Sequence, residues 1–375
     1  MKKPKHGASL YYASDKNIYD ALNQHKVDNE TITRLFARRN TIASKKTAKE
    51  DLADYFARLT HDYLDHKDIA ARLGVAPRRE RVTYMDIHGD ASTDQLKSTI
   101  DRVKADLEKT GDVVHISRRD NNITLSVQYS SIDYKRSEFT QIQVKDGSIE
   151  FIKTDKGYLI RNTQSNYINL VRDAILSGLE VDTEKPVEKV LVTLFDVPSH
   201  KLRSRFFHDL ATNLPGYSHQ DVTEVYIYKQ KPQKNLLDGE DDDSEDIDAT
   251  DLAPENPHIE RVFLRGNGVS RSSLLHDLTD GDNYYIVKIG WTASKTVGNG
   301  DLFEIEAVFT NPRDCTGFSF LLKGIHPYEA GRYSKRRPPL KPEIEEISKV
   351  IESKSRELTA KLRAEYLSET GQVQP

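Results

Sequence analysis

Basic side chains are concentrated in one short stretch near the N-terminus, and their chemistry favours phosphate as a partner. Arg38 and Arg39 end a segment with helical apolar spacing, and Lys45, Lys46 and Lys49 follow closely. Phosphate oxygens accept hydrogen bonds and ion pairs from such side chains whatever the base sequence. The stretch therefore predicts an electrostatic contact with double-stranded DNA. The alternative interpretation is a helical hairpin whose solvent face is basic.

A second basic stretch, GRYSKRRPPLKP, lies near the C-terminus. Lys335, Arg336 and Arg337 are consecutive there, and Tyr328 and Tyr333 are close to them in the sequence. Cations interleaved with aromatic rings suit a nucleic-acid backbone together with stacked bases. This stretch is therefore a second candidate nucleic-acid contact, with a solvated tail as the alternative.

No residue pattern typical of catalysis stands out. His61, Asp62, Asp65 and His66 suggest metal ligands, but on a helix His66 is rotated away from the face that His61 shares with Asp65. We therefore predict no metal site and no cofactor. The strand-to-helix junctions lack a phosphate-loop fingerprint, and no strand carries the Glu-x-Lys pattern of nucleases with an acidic partner upstream. An enzyme whose site is assembled from distant residues stays open as an alternative.

Two short helices are predicted to position the N-terminal basic residues. Asp28 or Asn29 suits the cap of the first helix, and Asn40 suits a chain that leaves the helix through a left-handed residue. The apolar face of this helix, at three- and four-residue spacing, consists of Ile32, Leu35 and Phe36. We expect this face to point inward and the arginines to point outward.

The second helix follows a short extended connector. The residues Thr41-Ile42-Ala43 are too few and too β-branched for another helix. Ser44 or Thr47 suits the cap of the second helix, and Glu50 lies three residues after Thr47, which predicts a capping box. Its expected apolar stripe consists of Leu52, Tyr55, Phe56 and Leu59.

This helix–extension–helix pattern, over about residues 28–60, resembles the SAP domain family. The matching features are the Leu35 helix, Arg39 near its end, a small polar residue at Ser44, the lysines, and leucines at 52 and 59. In that family the helix ends and the basic connector contact duplex DNA, largely through phosphate. The resemblance implies that the contacts here are Arg38, Arg39, Lys45, Lys46 and Lys49. The chain departs from the pattern at Ser44, where the family usually has a glycine before the lysine.

Composition indicates a multidomain protein that needs neither a membrane nor disulfide bonds. The chain has 375 residues, 30% of them charged, and a single cysteine, Cys315, which excludes an internal disulfide. No apolar run approaches the roughly 18 residues of a membrane helix, and the start MKKPKHG lacks the apolar region of a signal peptide. We therefore predict a cytoplasmic protein without a membrane partner.

The acidic residues are concentrated in one segment. Between Asp238 and Glu255 the chain carries ten carboxylates and no basic residue, although its formal net charge is only −4. The rest of the chain is therefore mildly basic, which permits nucleic-acid binding without indicating it. We predict a disordered acidic linker at 232–258, because a dense run of like charge cannot bury enough apolar surface. An alternative is that the segment competes with nucleic acid for a basic surface.

The central part of the chain predicts helices and an antiparallel meander. Helical spacing covers 92–109 and 165–179, and a strand–helix–strand unit is predicted at 189–195, 199–213 and 224–229. Turn signals separate the meander strands, and Asp146-Gly147 is the clearest of them. The predicted strands before the second helix are 81–88, 112–117, 122–129, 138–145, 148–153 and 157–161.

The C-terminal part predicts a small sheet followed by a long helix. Strands are expected at 259–265, 284–293, 302–310 and in the run FSFLLKGI, and Pro342 begins the final helix. We expect 189–195, 284–291 and 302–309 to be the most buried segments. The expected core residues are Val190, Leu191, Val192, Leu194, Ile286, Val287, Ile289, Ile305 and Val308.

The expected fold is α+β in four parts. A small N-terminal helical hairpin unit at 1–78 precedes a central α+β domain with an antiparallel meander at 79–231. The acidic linker at 232–258 leads to a β-rich domain with a terminal helix at 259–375. We expect a non-catalytic, DNA-associated component of a multi-protein system, such as anti-phage defence or a mobile-element process, with duplex DNA and other proteins as partners. A nuclease or other nucleic-acid enzyme, and a protein–protein adaptor, are the alternatives.

Overall fold

The chain forms two compact units, each of which contains antiparallel strands. The computed structural model describes residues 13–370 except 26, 45, 74–79, 90, 120–121, 135–138, 140, 230–258 and 282. The first unit comprises Met1–Glu80 and Ile87–Glu188, and the second comprises Arg81–Asp86 and Lys189–Pro375. This division differs from the predicted domain boundaries, which ended the central domain at residue 231. The predicted acidic linker lies outside the described residues.

Helices and antiparallel strands together give the α+β fold that the sequence predicts. The helices within the described residues are α1 (Asp15–Asn23), α2 (Asn29–Ala37), α3 (Lys49–Ala57), α4 (Tyr63–Leu73), α5 (Thr93–Lys109), α6 (Asn166–Thr183), α7 (His200–Thr212), α8 (Ser273–His276) and α9 (Lys341–Thr370). The strands are β1 (Val82–His88), β2 (Val113–Arg119), β3 (Asn122–Ile132), β4 (Ile142–Thr154), β5 (Gly157–Thr163), β6 (Glu188–Val190), β7 (Tyr217–Tyr228), β8 (Arg261–Arg265), β9 (Tyr285–Lys295), β10 (Leu302–Asn311), β11 (Thr316–His326), β12 (Tyr328–Glu329) and β13 (Arg332–Tyr333). No helix among the described residues is long and apolar enough to cross a bilayer.

Helices α1 to α4 form a small apolar core at the start of the first unit. The core includes Ile32, Leu35 and Phe36 of α2, as predicted, and Phe139 from the segment between β3 and β4 packs into it. The Phe139 ring meets the His66 ring edge to face, with 5.8 Å between centroids. The helices are therefore held by the meander as well as by one another.

The ends of α2 match the predictions, whereas the start and the stripe of α3 do not. Asp28 accepts a hydrogen bond from the Thr31 N–H, and Asn40 has a φ of 56°. The predicted capping box of α3 is wrong, because its cap is Ala48 and no side chain caps the helix. Glu50 instead accepts a hydrogen bond from the Tyr19 hydroxyl of α1.

The predicted apolar stripe of α3 is only half right. Leu52 and Phe56 are buried, but Tyr55 is 64% exposed and Leu59 is also exposed. Ala53 and Ala57 occupy the buried face instead. Such small side chains allow the close approach of α1, which packs on α3.

The four-stranded sheet of the first unit has the order β2-β3-β4-β5. The predicted turn at Asp146-Gly147 is wrong, because both residues lie within β4 and pair with β3. The predicted strands 138–145 and 148–153 are therefore one strand. Gly147 is needed for packing, since a Cβ there would lie 2.6 Å from Cδ1 of Ile168 in α6.

The sheet of the second unit has the order β1-β11-β10-β9-β7-β8. Helices α7 and α9 cover one of its faces, where Phe206, Phe207, Phe309 and Phe318 form a cluster of ring contacts. The final helix, α9, docks on its own unit through an apolar stripe, which is buried. The buried stripe residues are Ile347, Ile351, Leu358 and Leu362.

The strand predicted at 189–195 is mostly wrong. Only Glu188–Val190 is a strand, and Val190 and Leu191 are exposed, whereas Val192 and Leu194 are buried. After β6 the chain is irregular, so period-two burial does not extend along the whole run. The predicted strand–helix–strand unit keeps its helix, α7, and its last strand, which is longer than expected.

The core prediction for β9 and β10 is largely confirmed. The buried members are Ile286, Val287, Ile289 and Ile305. Val308 is only half-buried, because it alternates with Ala307 and Phe309 and lies on the opposite face of β10. That opposite face carries most of the charged residues of the sheet.

Candidate nucleic-acid interfaces

The connector between α2 and α3 is an exposed part of the N-terminal helical region. The Thr41 N–H donates to the carbonyl of Phe36, and Asn40 in the left-handed region turns the chain away from α2. Ile42 then lies 98% exposed. Ser44 accepts a hydrogen bond from the backbone N–H of Lys46. The connector is thus shaped by local hydrogen bonds, and Ala43 packs against the helical core while Thr41, Ile42 and Ser44 face solvent.

Arg39 is held inside the helical region and does not face solvent freely. Its guanidinium forms an ion pair with Asp65 and lies 3.1 Å from Nδ1 of His61. The guanidinium carbon also lies 4.7 Å from the centroid of the Phe56 ring. With only a fifth of its side chain exposed, Arg39 joins α2 to α3 and α4.

Lys49 is also used within the fold. Its Nζ donates hydrogen bonds to the carbonyls of Asn23, at 3.1 Å, and Gln24, at 2.7 Å. These carbonyls end α1, where a cation satisfies unpaired acceptors and the helix dipole. The position of Lys49 next to Ala48, the cap of α3, therefore fastens α3 to α1.

The remaining predicted contacts are more available. Arg38 forms an ion pair with Asp68, and both side chains are 46% exposed. Lys46 is exposed, and its side chain forms no hydrogen bond or ion pair with the described residues. Lys45 lies outside the described residues. The structure thus brings Arg38 and Lys46 to the two ends of the connector and withdraws Arg39 and Lys49 from it.

A groove of about 450 Å³ lies between the end of α2 and the start of α4. Burial lowers the pKa of His61, one of the lining residues, below its ordinary value. Nε2 of His61 lies 3.3 Å from the carbonyl of Ala57, and Nδ1 faces the Arg39 guanidinium. A neutral ring that donates through Nε2 and accepts at Nδ1 satisfies both contacts. The groove is therefore bordered by a fixed network rather than by free ligands.

The described residues contain no group of three or more metal-ligating side chains. His61 and His66 of the N-terminal histidine and aspartate set have ring centroids 6.2 Å apart. Asp65 is engaged by Arg39. These side chains stabilise the helical region in the arrangement that the structure shows.

The three basic residues of the C-terminal strip have different surroundings. Arg337 forms two hydrogen bonds with Glu343 at the start of α9. Arg336 lies over Gly324, pairs with Glu304 and donates to the carbonyl of Lys323. Lys335 is exposed, and its side chain forms no hydrogen bond or ion pair within the described residues. Tyr328 and Tyr333 stack across the β12–β13 hairpin, with ring centroids 5.2 Å apart.

Next to Arg336, the sheet face opposite α7 and α9 carries a set of charges that the sequence analysis did not find. We name it the charged sheet face, and its central residues are Arg81, Glu224, Phe263, Lys288, Glu306 and Lys323. Lys288 lies 3.1 Å from Glu224 and 3.0 Å from Glu306. Lys323 contacts the same two carboxylates at 2.5 and 2.8 Å.

Glu306 is ionised although it is buried. Burial alone would raise the pKa of Glu306, but contact with Glu224 and hydrogen bonds from Lys323, Arg81 and Lys288 outweigh burial and hold that pKa well below its usual value. Burial likewise opposes the charge of Lys323, but both glutamates raise its pKa. Glu306 and Lys323 are therefore both charged at neutral pH.

The sequence does carry a signal for this face. Each strand of the sheet interrupts its apolar run with charges in the same phase, as in YYIVKIGWTA for Lys288 and LFEIEAVFT for Glu306. The partners are far apart in the chain, so no spacing rule connects them. Register across β7, β9, β10 and β11 brings them together.

Comparison with known proteins does not identify a function for these surfaces. No protein-family model matches the sequence, and no curated protein matches it.

Proposed function

We propose that the protein associates with duplex DNA through the connector between α2 and α3. In this proposal it is a non-catalytic component of a cytoplasmic multi-protein system that acts on DNA, such as defence against phage. The observation that carries the proposal is the exposed connector, with Ile42 almost entirely in solvent between Arg38 and Lys46. The two cations suit contacts with DNA phosphates, and the apolar side chain between them suits contact with the wall of a groove.

The contact set is smaller than the sequence indicates. Arg38, Lys45 and Lys46 are the proposed phosphate contacts, while Arg39 and Lys49 hold the helices that present them. Covering Ile42 on binding would remove a large apolar side chain from water, which contributes on the order of 1.5–3 kcal/mol. The ion pair between Arg38 and Asp68 leaves both side chains half in solvent, so phosphate can replace the carboxylate.

Salt dependence tests the electrostatic part of the proposal. Three phosphate contacts release about three condensed counterions, so affinity should fall about forty-fold between 50 and 200 mM salt. Fluorescence anisotropy with a labelled duplex measures both affinities. The variant Lys45→Glu/Lys46→Glu should bind all duplex sequences more weakly and show a shallower salt dependence, because phosphate carries no base information.

A matched control separates this site from net charge. Lys97→Glu/Lys109→Glu makes the same charge change on α5, where each lysine forms an ion pair with an aspartate three residues earlier. We expect this control to keep the parent affinity within about two-fold. Equal losses in both double variants, or a folded parent that binds no duplex at 50 mM salt, would contradict the proposal and favour a protein–protein adaptor.

A further inference from the structure

We infer that the charged sheet face of the second unit binds single-stranded nucleic acid. The site lies in a different unit from the connector, and its ligand class differs from duplex DNA, so the inference does not depend on the proposed function. It combines an exposed aromatic ring, partly exposed cations and carboxylates buried beneath them on one face of a sheet.

An exposed aromatic ring stands at one end of the face. Phe263 is 49% exposed on β8, and its ring centroid lies 6.4 Å from that of Tyr226, its partner on β7. Nζ of Lys288 lies 5.9 Å from the Phe263 centroid. A ring with an open side and a neighbouring ammonium group suits a stacked base whose phosphate reaches the cation.

Lys288 and Lys323 keep N–H donors that the two carboxylates do not use. Each ammonium group has three N–H donors, and Lys288 and Lys323 each direct two of them to Glu224 and Glu306. One donor on each lysine remains for a ligand. Because Glu224 and Glu306 are buried while the lysines are partly exposed, a ligand meets ammonium groups before it meets carboxylates.

The face has an excess of positive charge. Arg265 shares it, because it pairs directly with Glu224 across β7 and β8. Arg336 extends it past Lys323 toward Lys335 at the C-terminal strip. The cations Arg81, Arg265, Lys288, Lys323 and Arg336 outnumber the carboxylates Glu224, Glu304 and Glu306, and strand register adds one residue of each sign, Arg261 and Asp221. This surplus is complementary to a phosphate backbone.

The geometry favours a single strand over a duplex. From β8 to β11 the face crosses four strand spacings, which is about 19 Å and enough for several nucleotides. Bases inside a duplex are stacked on one another and cannot reach Phe263, whereas the bases of a single strand can turn onto the ring. The face therefore offers an aromatic ring for base stacking at one end and a row of cations for the phosphates across the sheet.

Binding of labelled oligo(dT) and oligo(U) to the full chain tests this inference, with anisotropy measured at low salt. Phe263→Ala should weaken binding about ten-fold, whereas Phe263→Trp should keep or strengthen it, because the larger ring stacks better. Phe195→Ala is the control, since Phe195 is also an exposed phenylalanine of the same unit, at 67%, and lies outside this face. It should keep the parent affinity. The two probes show whether the backbone sugar of DNA or of RNA is preferred.

The connector variant keeps this test distinct from the proposed function. Lys45→Glu/Lys46→Glu should leave oligo(dT) and oligo(U) binding unchanged, and Phe263→Ala should leave duplex binding unchanged. Each variant must show the unfolding midpoint of the parent within error. A folded parent that binds neither probe, a loss in Phe263→Ala no larger than in Phe195→Ala, or a loss of single-strand binding in the connector variant would overturn the inference.

Discussion

Glu224 and Gly290 lie opposite each other on β7 and β9, and Cγ of Glu224 occupies the space that a side chain at residue 290 would need. A Cβ on residue 290 would lie 2.5 Å from that Cγ. Gly290 is also paired with Glu306 on β10. The missing side chain lets two carboxylates on strands that are not neighbours share Lys288 and Lys323. One glycine therefore permits the buried charge network.

Gly290→Ala should destabilise the second unit. The new methyl group displaces the Glu224 side chain from a closely packed site, which costs about 1–3 kcal/mol of the free energy of unfolding. Urea denaturation measures the loss. Gly281→Ala is the control, because a Cβ at that position meets no atom within 4 Å, and its effect should stay below about 0.5 kcal/mol. Similar values for the two variants would show that Glu224 can move aside freely.

Glu306 should make stability fall in acid. Its pKa in the folded chain lies below the ordinary value of 4.5, so the unfolded chain takes up the proton first. The stabilisation is complete above pH 4.5 and is lost as the pH falls from there through the lowered pKa. Glu306→Gln should cost about 3–5 kcal/mol at neutral pH and flatten this acid dependence. Unfolding curves between pH 6 and 3 in Glu306→Gln and in Glu357→Gln, an exposed α9 residue, provide the comparison.

His61 should give a second pH dependence at higher pH. Burial and the nearby Arg39 lower its pKa, outweighing the Ala57 carbonyl, so the neutral ring is favoured in the folded chain. Stability that is complete above the ordinary value of 6.5 should be lost as the pH falls from there through the lowered pKa. Thermal unfolding at pH 7.5 and 5.5 measures the change. His61→Gln should reduce it, whereas His208→Gln, on the exposed side of α7, should leave it as in the parent.

Gly147 and Ile168 should show strong energetic coupling. Gly147→Ala places a methyl group against the Ile168 side chain and should cost about 1–3 kcal/mol. Ile168→Ala alone should cost about 2–5 kcal/mol through its cavity. In the double variant the alanine methyl at 147 no longer meets the isoleucine, so the combined loss should be smaller than the sum. Additive losses would support a turn at Asp146-Gly147 and contradict the continuous strand β4.

Lys49 and Lys46 should differ in what they stabilise. Lys49→Gln removes a cation from two carbonyls at the end of α1 and should lower the free energy of unfolding by about 1 kcal/mol. Lys46→Gln changes an exposed side chain and should alter stability by less than about 0.5 kcal/mol. Chemical denaturation compares the two variants. An equal effect of both on stability would place Lys49 on the same exposed surface as Lys46.

Local sequence determined those elements whose signals act within a few residues. The cap at Asp28, the left-handed Asn40 and the apolar spacing of α2 are sufficient to predict that helix and its exit. The α+β class and strands such as β9 and β10 follow from period-two burial in the same way. These features depend on backbone geometry and side-chain alternation, which a window of the chain contains.

Tertiary structure decided which charged side chains are available for binding and which glycines lie in turns. Gly147 has the chemistry of a turn, but the approach of Ile168 makes it a strand residue. Arg39 and Lys49 share the basic stretch with Lys46, yet Asp65 and the end of α1 take them into the fold. The charged sheet face joins Arg81, Glu224, Lys288, Glu306 and Lys323 from five separate parts of the chain. Coulomb and packing energies depend on distance in space, and sheet register sets that distance between residues that no local pattern relates.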